Sequence, residues 1–182
     1  MKIKSSYSVI IRIVLWLMIL LGGAVLAYIN DRDSVLFYDP VFHLVTAILG
    51  IFVIAMAFRA AGNGGRELSS GRVGDLPRLE TNRLVTSGIY GCMRHPMLFG
   101  LTLLPLGWAL LLGLPTFIVL IAPLEMLFII VMVVVFEEME VRHKFGDDYR
   151  AYALRVPMVS FSFSCLKELF GKKKIGSGTR RG

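Results

Sequence analysis

Four apolar blocks, residues 8–29, 41–60, 97–113 and 115–136, leave this chain little choice of class. In a helix rising about 1.5 Å per residue, the first, second and fourth are long enough to cross a hydrocarbon core of roughly 30 Å. The third is short. The chain is 55% hydrophobic and only 18% charged, with a mean hydropathy of +0.68, where a soluble domain carries about 25% charged residues. The expectation is an all-α integral membrane protein of four to five transmembrane helices. It forms a single membrane domain with no room for a separate soluble one. The first block is too long to read as a removable signal peptide, and it lacks a small-residue cleavage site.

The net charge of +7 is unevenly placed. Lys2, Lys4 and Arg12 flank the start of the first block, and residues 30–40 set Arg32 against Asp31, Asp33 and Asp39. From the end of the second block to the start of the third come Arg59, Arg66, Arg72, Arg78, Arg83 and Arg94, with no lysine. The positive-inside rule then puts both termini and the loop 61–96 in the cytoplasm. Four crossings satisfy every segment. The run Lys172-Lys173-Lys174, in a basic tail spanning 171–182, suits either an anionic membrane surface or solvent. Membrane lipids are the expected surroundings, and nothing calls for nucleic acid. Cys92 and Cys165 both fall on the cytoplasmic side, where a structural disulfide is not expected, and their spacing matches no metal motif.

Residues 61–88 read as a glycine- and arginine-rich loop. Its Gly62-Asn63-Gly64-Gly65 follows a membrane span instead of a soluble strand, which argues against a nucleotide-binding fingerprint. Leu84, Val85 and Ile89 are placed to pack back on the bilayer face. Pro96 suits the first turn of the third span, and Pro105 and Pro123 should interrupt spans three and four. Beyond Glu137-Glu138-Met139-Glu140, the sequence Phe145-Gly146-Asp147-Asp148 reads as a helix stop and restart. Val141, Phe145, Tyr149 and Tyr152 recur at helical spacing, so residues 137–170 are expected to lie on the membrane surface as interfacial helices. Whether residues 158–170 add a fifth crossing is open.

Gly113-Leu114-Pro115 makes the third and fourth spans an antiparallel hairpin. His95 then lies at the foot of one arm and Glu137 at the foot of the other. That geometry gathers Tyr90, Arg94, His95, Glu137 and Glu138 into a polar pocket at the bilayer edge, where ionisable groups are costly unless paired or used. Each has a plainer reading: Arg94 as a snorkelling cation, the glutamates as a solvated helix end, His95 as a turn residue, Tyr90 as an interfacial anchor. Glu125, inside the fourth span, reads as a functional carboxylate, as a protonated one, or as one half of a structural polar pair with His43, with the pair preferred.

The run Leu84-Val85-Thr86-Ser87-Gly88-Ile89-Tyr90, followed by Arg94-His95-Pro96, resembles the LVTxGxYxxxRHP signature of the isoprenylcysteine carboxyl methyltransferases. Phe136-Glu137-Glu138, Phe145-Gly146, Tyr149, Tyr152 and Arg155-Val156-Pro157 resemble that family's second signature, in the same order and at the same separation. Either half alone also occurs in the wider group that includes membrane phospholipid methyltransferases. The resemblance implies S-adenosylmethionine as cofactor, contacted by Leu84, Val85, Tyr90, His95, Pro96, Met97, Leu98 and Glu137. Arg83, Arg94 and Glu138 complete the candidate set; no catalytic nucleophile and no metal is expected. Leu98 stands where many relatives carry tyrosine. Val133 stands where eukaryotic members place a substrate-binding arginine, and those members have further spans. The implied acceptor is a lipophilic molecule entering from the bilayer, bearing either the carboxylate of a prenylated cysteine or a similar acid. A phospholipid amine is the alternative, and a non-enzymatic membrane scaffold is a third reading.

Overall fold

The computed structural model describes residues 5–72, 74 and 81–171. Arg78 and the basic tail from Lys172 lie outside them, as do Lys2 and Lys4. Among the described residues there are helices and no strands. They are α1 (Ser5–Asp31), α2 (Pro40–Ser69), α3 (Ile89–Cys92), α4 (Pro96–Thr102), α5 (Leu104–Leu112), α6 (Ala122–Met132), α7 (Glu138–Ala153) and α8 (Phe163–Phe170). A 3-10 turn covers Val35–Tyr38, and π-helical turns cover Phe117–Ile121 and Val133–Glu137.

Three helical stretches are long and apolar enough to cross a membrane: Val14–Asp31, Pro40–Ser69 and the continuous run Phe117–Ala153. Pro96–Leu112 is apolar but shorter. At about 1.5 Å per residue the run from Phe117 exceeds a roughly 30 Å core, and its apolar stretch ends at Phe136. Outward-facing side chains such as Leu26, Ile48, Phe52 and Val119 are 60–77% exposed. A water-soluble fold would bury such a surface; lipid accommodates it. Helix α8 has eight residues and is too short for a fifth crossing.

Two compact units divide the chain, Met1–Ala55 with Thr102–Glu137 and Met56–Leu101 with Glu138–Gly182. In the first, Leu20, Ala27, Ala109, Leu114, Phe117 and Ala122 form the core. Asp39 caps α2 through the Val41 amide at 2.8 Å, and Pro40 fills the first helical position, where no amide is needed. Gly113 (φ +64°) closes α5 in the left-handed conformation that favours glycine, so the expected hairpin turn is present. Asp31 locks the end of α1 to Thr116, just before the π-helical turn Phe117–Ile121. Its carboxylate accepts from the Thr116 amide at 2.9 Å and from the Thr116 hydroxyl. Pro105 and Pro123 each open a helix just after an interruption, as their sequence positions imply.

One expectation fails in this unit. His43 does not pair with Glu125; its Nε2 lies 2.7 Å from the Phe37 carbonyl. Glu125 is buried, with no hydrogen-bond partner for either oxygen among the described residues. A Cβ on Gly23 would meet its Oε1 at 2.7 Å.

The second unit corrects the loop boundary. Helix α2 continues through Gly62-Asn63-Gly64-Gly65 to Ser69. Glycine is poor in a helix, by about 1 kcal/mol relative to alanine, and this composition reads as loop. The compensation is packing: a Cβ on Gly64 would stand 2.8 Å from the Met97 backbone nitrogen. The aromatic face of α7 is covered by protein. Tyr149 and Tyr152 are 2% and 3% exposed and pack with Val156, Leu84, Val141 and Phe145. That face covers the Leu84 segment instead of lipid. Gly146 (φ +52°) kinks α7 at the expected stop.

Candidate functional site

The second unit builds its polar centre on a short irregular segment. Gly88 takes φ +57° with the Glu67 carboxylate pressed against the space a Cβ would fill; only glycine accepts that conformation and that approach without strain. A single turn, α3, follows and buries Ile89 and Tyr90. Met93 is extended and fully buried. The Arg94 amide donates to the Pro157 carbonyl at 3.0 Å and the His95 amide to Met158 at 3.3 Å. Helix α4 starts at Pro96. Both functional side chains are thus held by their backbones as well as their heads.

Glu138 is where those heads meet. Its Oε1 accepts from Arg94 Nη1 at 2.7 Å and from Tyr149 at 2.7 Å, with His95 Nε2 at 2.8 Å. Its Oε2 takes Arg94 Nη1 at 2.9 Å and Arg142 Nη2 at 3.4 Å. Arg94 also lies over the Tyr149 ring. Tyr152 donates to the Tyr90 carbonyl at 2.6 Å, tying α7 to α3. Burial acts to raise the Glu138 pKa, but the hydrogen bonds from Tyr149 and His95 and the Arg94 charge outweigh it and hold the carboxyl below its ordinary value of 4.5. Burial, then the bond to Glu138, pushes Tyr149 up to about 12, so it remains a donor at neutral pH.

A carboxylate with a depressed pKa contributes stability that is complete above its unfolded value and lost as pH falls through the folded one. The unfolding temperature of wild-type protein is therefore expected to drop as pH is lowered below about 4.5. Glu138→Gln should flatten that dependence. Equal acid sensitivity in the two proteins, followed by thermal melts from pH 6 to pH 3, would contradict the assignment.

Beside this centre, in the same unit, is a cavity of about 490 Å³ lined by Asn82, Arg83, Leu84, Thr86, Phe145, Asp148, Ala151, Tyr152 and Arg155. Its volume falls in the range of about 300–1,000 Å³ usual for small-molecule sites. One wall comes from the segment before α3, the other from α7 and the residues after it. Buried Arg94 Nε has no hydrogen-bond partner among the described residues.

In the first unit, a smaller groove of about 140 Å³ is lined by Leu15, Trp16, Phe128, Ile129, Met132, Val133, Phe136 and Glu137. Glu137 is the one ionisable residue among them.

The expected residues therefore separate by surroundings. Tyr90, Arg94, His95 and Glu138 come together; Arg83 and Leu84 line the cavity; Val85 and Pro96 are buried, and Met97 and Leu98 are half-buried. Glu137 lines the apolar groove, and the carboxylate that binds His95 is Glu138. Tyr90 is 8% exposed and Arg94 is spent on Glu138, so neither is the interfacial anchor or snorkelling cation of the plainer readings. Asn82, Thr86, Asp148 and Arg155 line the cavity without being among the candidate residues, although Thr86 and Arg155 stand in the two signatures. Sequence reading missed the pairing of Cys92 with Cys165, whose Cα atoms are 5.6 Å apart. A loop of that separation, 73 residues, contributes roughly 4 kcal/mol in the chain-entropy account.

No curated protein and no solved structure matches the chain. A family model, phospholipid methyltransferase, matches residues 40–148, which is more than half of it. The chain belongs to the phospholipid methyltransferase family. This broad group also takes in the isoprenylcysteine enzymes, as the two-part signature implied. The protein is accordingly a multi-pass membrane methyltransferase. The match runs from the start of α2 into α7 and includes Arg94, His95 and Glu138.

Proposed function

We propose that this membrane methyltransferase uses S-adenosylmethionine and transfers its methyl group to a lipophilic acceptor that arrives through the bilayer. The observation carrying this reading is that residues from both halves of the signature, Leu84 and Thr86 of the first and Phe145, Tyr152 and Arg155 of the second, line one cavity. The donor set fits the cofactor. Arg83, Arg155 and Arg94 Nε suit its carboxylate, and Asp148 suits its ammonium or ribose hydroxyls. Phe145 and Tyr152 offer ring faces to adenine and sulfonium, a contact worth about 1–2 kcal/mol when desolvated. Tyr90, His95 and Glu138 hold that wall in shape. Val85, Pro96, Met97, Leu98 and Glu137 complete the set by resemblance. Bound there, the cofactor supplies an electrophilic methyl group for in-line displacement, and the protein's contribution is alignment. The positive-inside pattern supports a cytoplasmic site with both termini on the same side.

Two acceptors remain. A carboxylate, such as that of a prenylated cysteine, is ionised at neutral pH and needs no base. An amine-headed lipid is the other, and its support is Val133, which stands where eukaryotic prenyl-cysteine enzymes place a substrate-binding arginine. Incubation with radiolabelled cofactor and each acceptor separates them, because mild alkali releases methyl from an ester and not from an amine. Calorimetry with S-adenosylhomocysteine tests the site itself. Arg155→Ala is expected to weaken binding by about tenfold, or about 1.4 kcal/mol. Absence of binding to the wild-type protein would remove the enzyme reading in favour of a scaffold.

A further inference from the structure

We propose that Cys92 and Cys165 form a reversible redox clasp that fixes the cofactor-binding segment, an inference that rests on the cofactor reading above. The two cysteines of the chain are joined to each other. Cys92 ends α3, two residues before Arg94, and Cys165 lies on α8. Helix α8 follows an irregular stretch whose Leu154 and Phe161 are 89% and 76% exposed. Pro157 and Met158 of that stretch are the backbone acceptors for the Arg94 and His95 amides. The clasp thus closes a circuit from α3 through Arg94 and His95 to residues 157–158, along the chain to α8, and back. Apart from the clasp, α8 is held by its apolar contacts with Ala60, Ile89 and Met93 and by Asn63 donating to the Leu169 and Gly171 carbonyls. On the cytoplasmic side such a bond faces a thiol pool that keeps most cysteines reduced, so its state follows the redox poise of its surroundings.

Cys92 is half-buried and Cys165 buried, which makes Cys92 Sγ the point of attack. A thiolate of a dithiol reductant bonds to Cys92 Sγ, and the S–S bond breaks with its electron pair on Cys165 Sγ. The second thiol of the reductant then displaces Cys92. The reductant leaves as a disulfide, and the two protein sulfurs take up two electrons and two protons. Oxidised glutathione reverses the reaction.

The test measures S-adenosylhomocysteine affinity and amide hydrogen exchange on the full chain in detergent: as purified without reductant, after dithiothreitol, and after reoxidation with oxidised glutathione. Reduction is expected to weaken binding by about tenfold to a hundredfold, the scale of loosening a positioned group. It should also speed exchange at the Arg94 and His95 amides and along α8, and reoxidation should restore both. The double variant Cys92→Ser, Cys165→Ser should bind weakly and ignore the reductant. Exchange or affinity unchanged by reduction overturns the clasp, as does a double variant that binds as tightly as the oxidised protein. Failure of the oxidised wild type to bind would instead defeat the cofactor reading, and exchange at Arg94 and His95 would still decide the clasp.

Discussion

Glu138→Ala is expected to lower the unfolding free energy by about 3–5 kcal/mol, the range for removing one partner of a buried ion pair. The side chains of Arg94 and Glu138 are only 13% and 7% exposed, so the guanidinium left behind has little water to turn to. His95 and Tyr149 lose their acceptor at the same time. An unsatisfied buried polar group adds about 1–3 kcal/mol, although these costs overlap because all the bonds end on one carboxylate. Glu138→Gln keeps an oxygen acceptor of nearly the same shape and should fall between wild type and alanine. The informative contrast is with the preceding residue. Glu137→Gln alters a residue that lines the groove of the first unit and should destabilise less than Glu138→Ala, while weakening S-adenosylhomocysteine binding in the role the resemblance gives it. Thermal melts and calorimetry on the three variants read stability and binding apart. A Glu138→Ala protein that melts like wild type would mean the network is a surface contact of little consequence.

The same pair of glutamates illustrates what the sequence could convey. That acids at the end of one span serve an arginine and histidine at the foot of another follows from segment lengths and a tight turn, and it holds for Glu138. Which acid does so does not follow. Val133–Glu137 is a π-helical turn, and one extra residue in a turn rotates everything after it by roughly 100° relative to a regular helix. No periodicity count reveals that insertion. The extension of α2 was illegible for a related reason. Gly62, Gly64 and Gly65 oppose helix formation locally, and the opposing contact with Met97 lies far along the chain. Tyr149 and Tyr152 show the limit of amphipathic spacing, which marks the apolar face but not whether lipid or protein covers it. Cavity residues such as Asn82, Asp148 and Arg155 are ordinary loop and helix-surface types, and they become notable only once the fold sets them around one space. The apolar blocks, the Gly113 turn and the Gly146 break, by contrast, are local in origin, and each was readable without any partner.

Gly100→Leu is expected to prevent the second unit from assembling. A Cβ at position 100 would stand 2.6 Å from the Ala57 carbonyl oxygen and 2.8 Å from the Ala61 nitrogen. These are backbone atoms of α2, so no side-chain rotation relieves the overlap, and α4 itself would have to move. Gly64 makes the reciprocal approach to Met97 from the α2 side. Small residues at helix contacts allow such proximity in a membrane, where close packing replaces the hydrophobic driving force available in water. Overpacking a tight contact costs about 1–3 kcal/mol for modest additions and more for a large side chain, so Gly100→Ala should be impaired and Gly100→Leu should scarcely fold. Gly62 supplies the control. A Cβ there meets nothing within 4 Å, and Gly62→Ala should stabilise α2 by about 1 kcal/mol through helix propensity alone. Because α4 begins at Pro96, directly after His95, displacement of α4 should also disturb the Glu138 network, and cofactor-product affinity should fall together with the melting temperature in the Gly100 series. Opposite shifts in melting temperature for Gly62→Ala and Gly100→Ala are the required result. Equal tolerance of both would show that the glycines mark a flexible loop, as composition alone implied, and not a packed helix face.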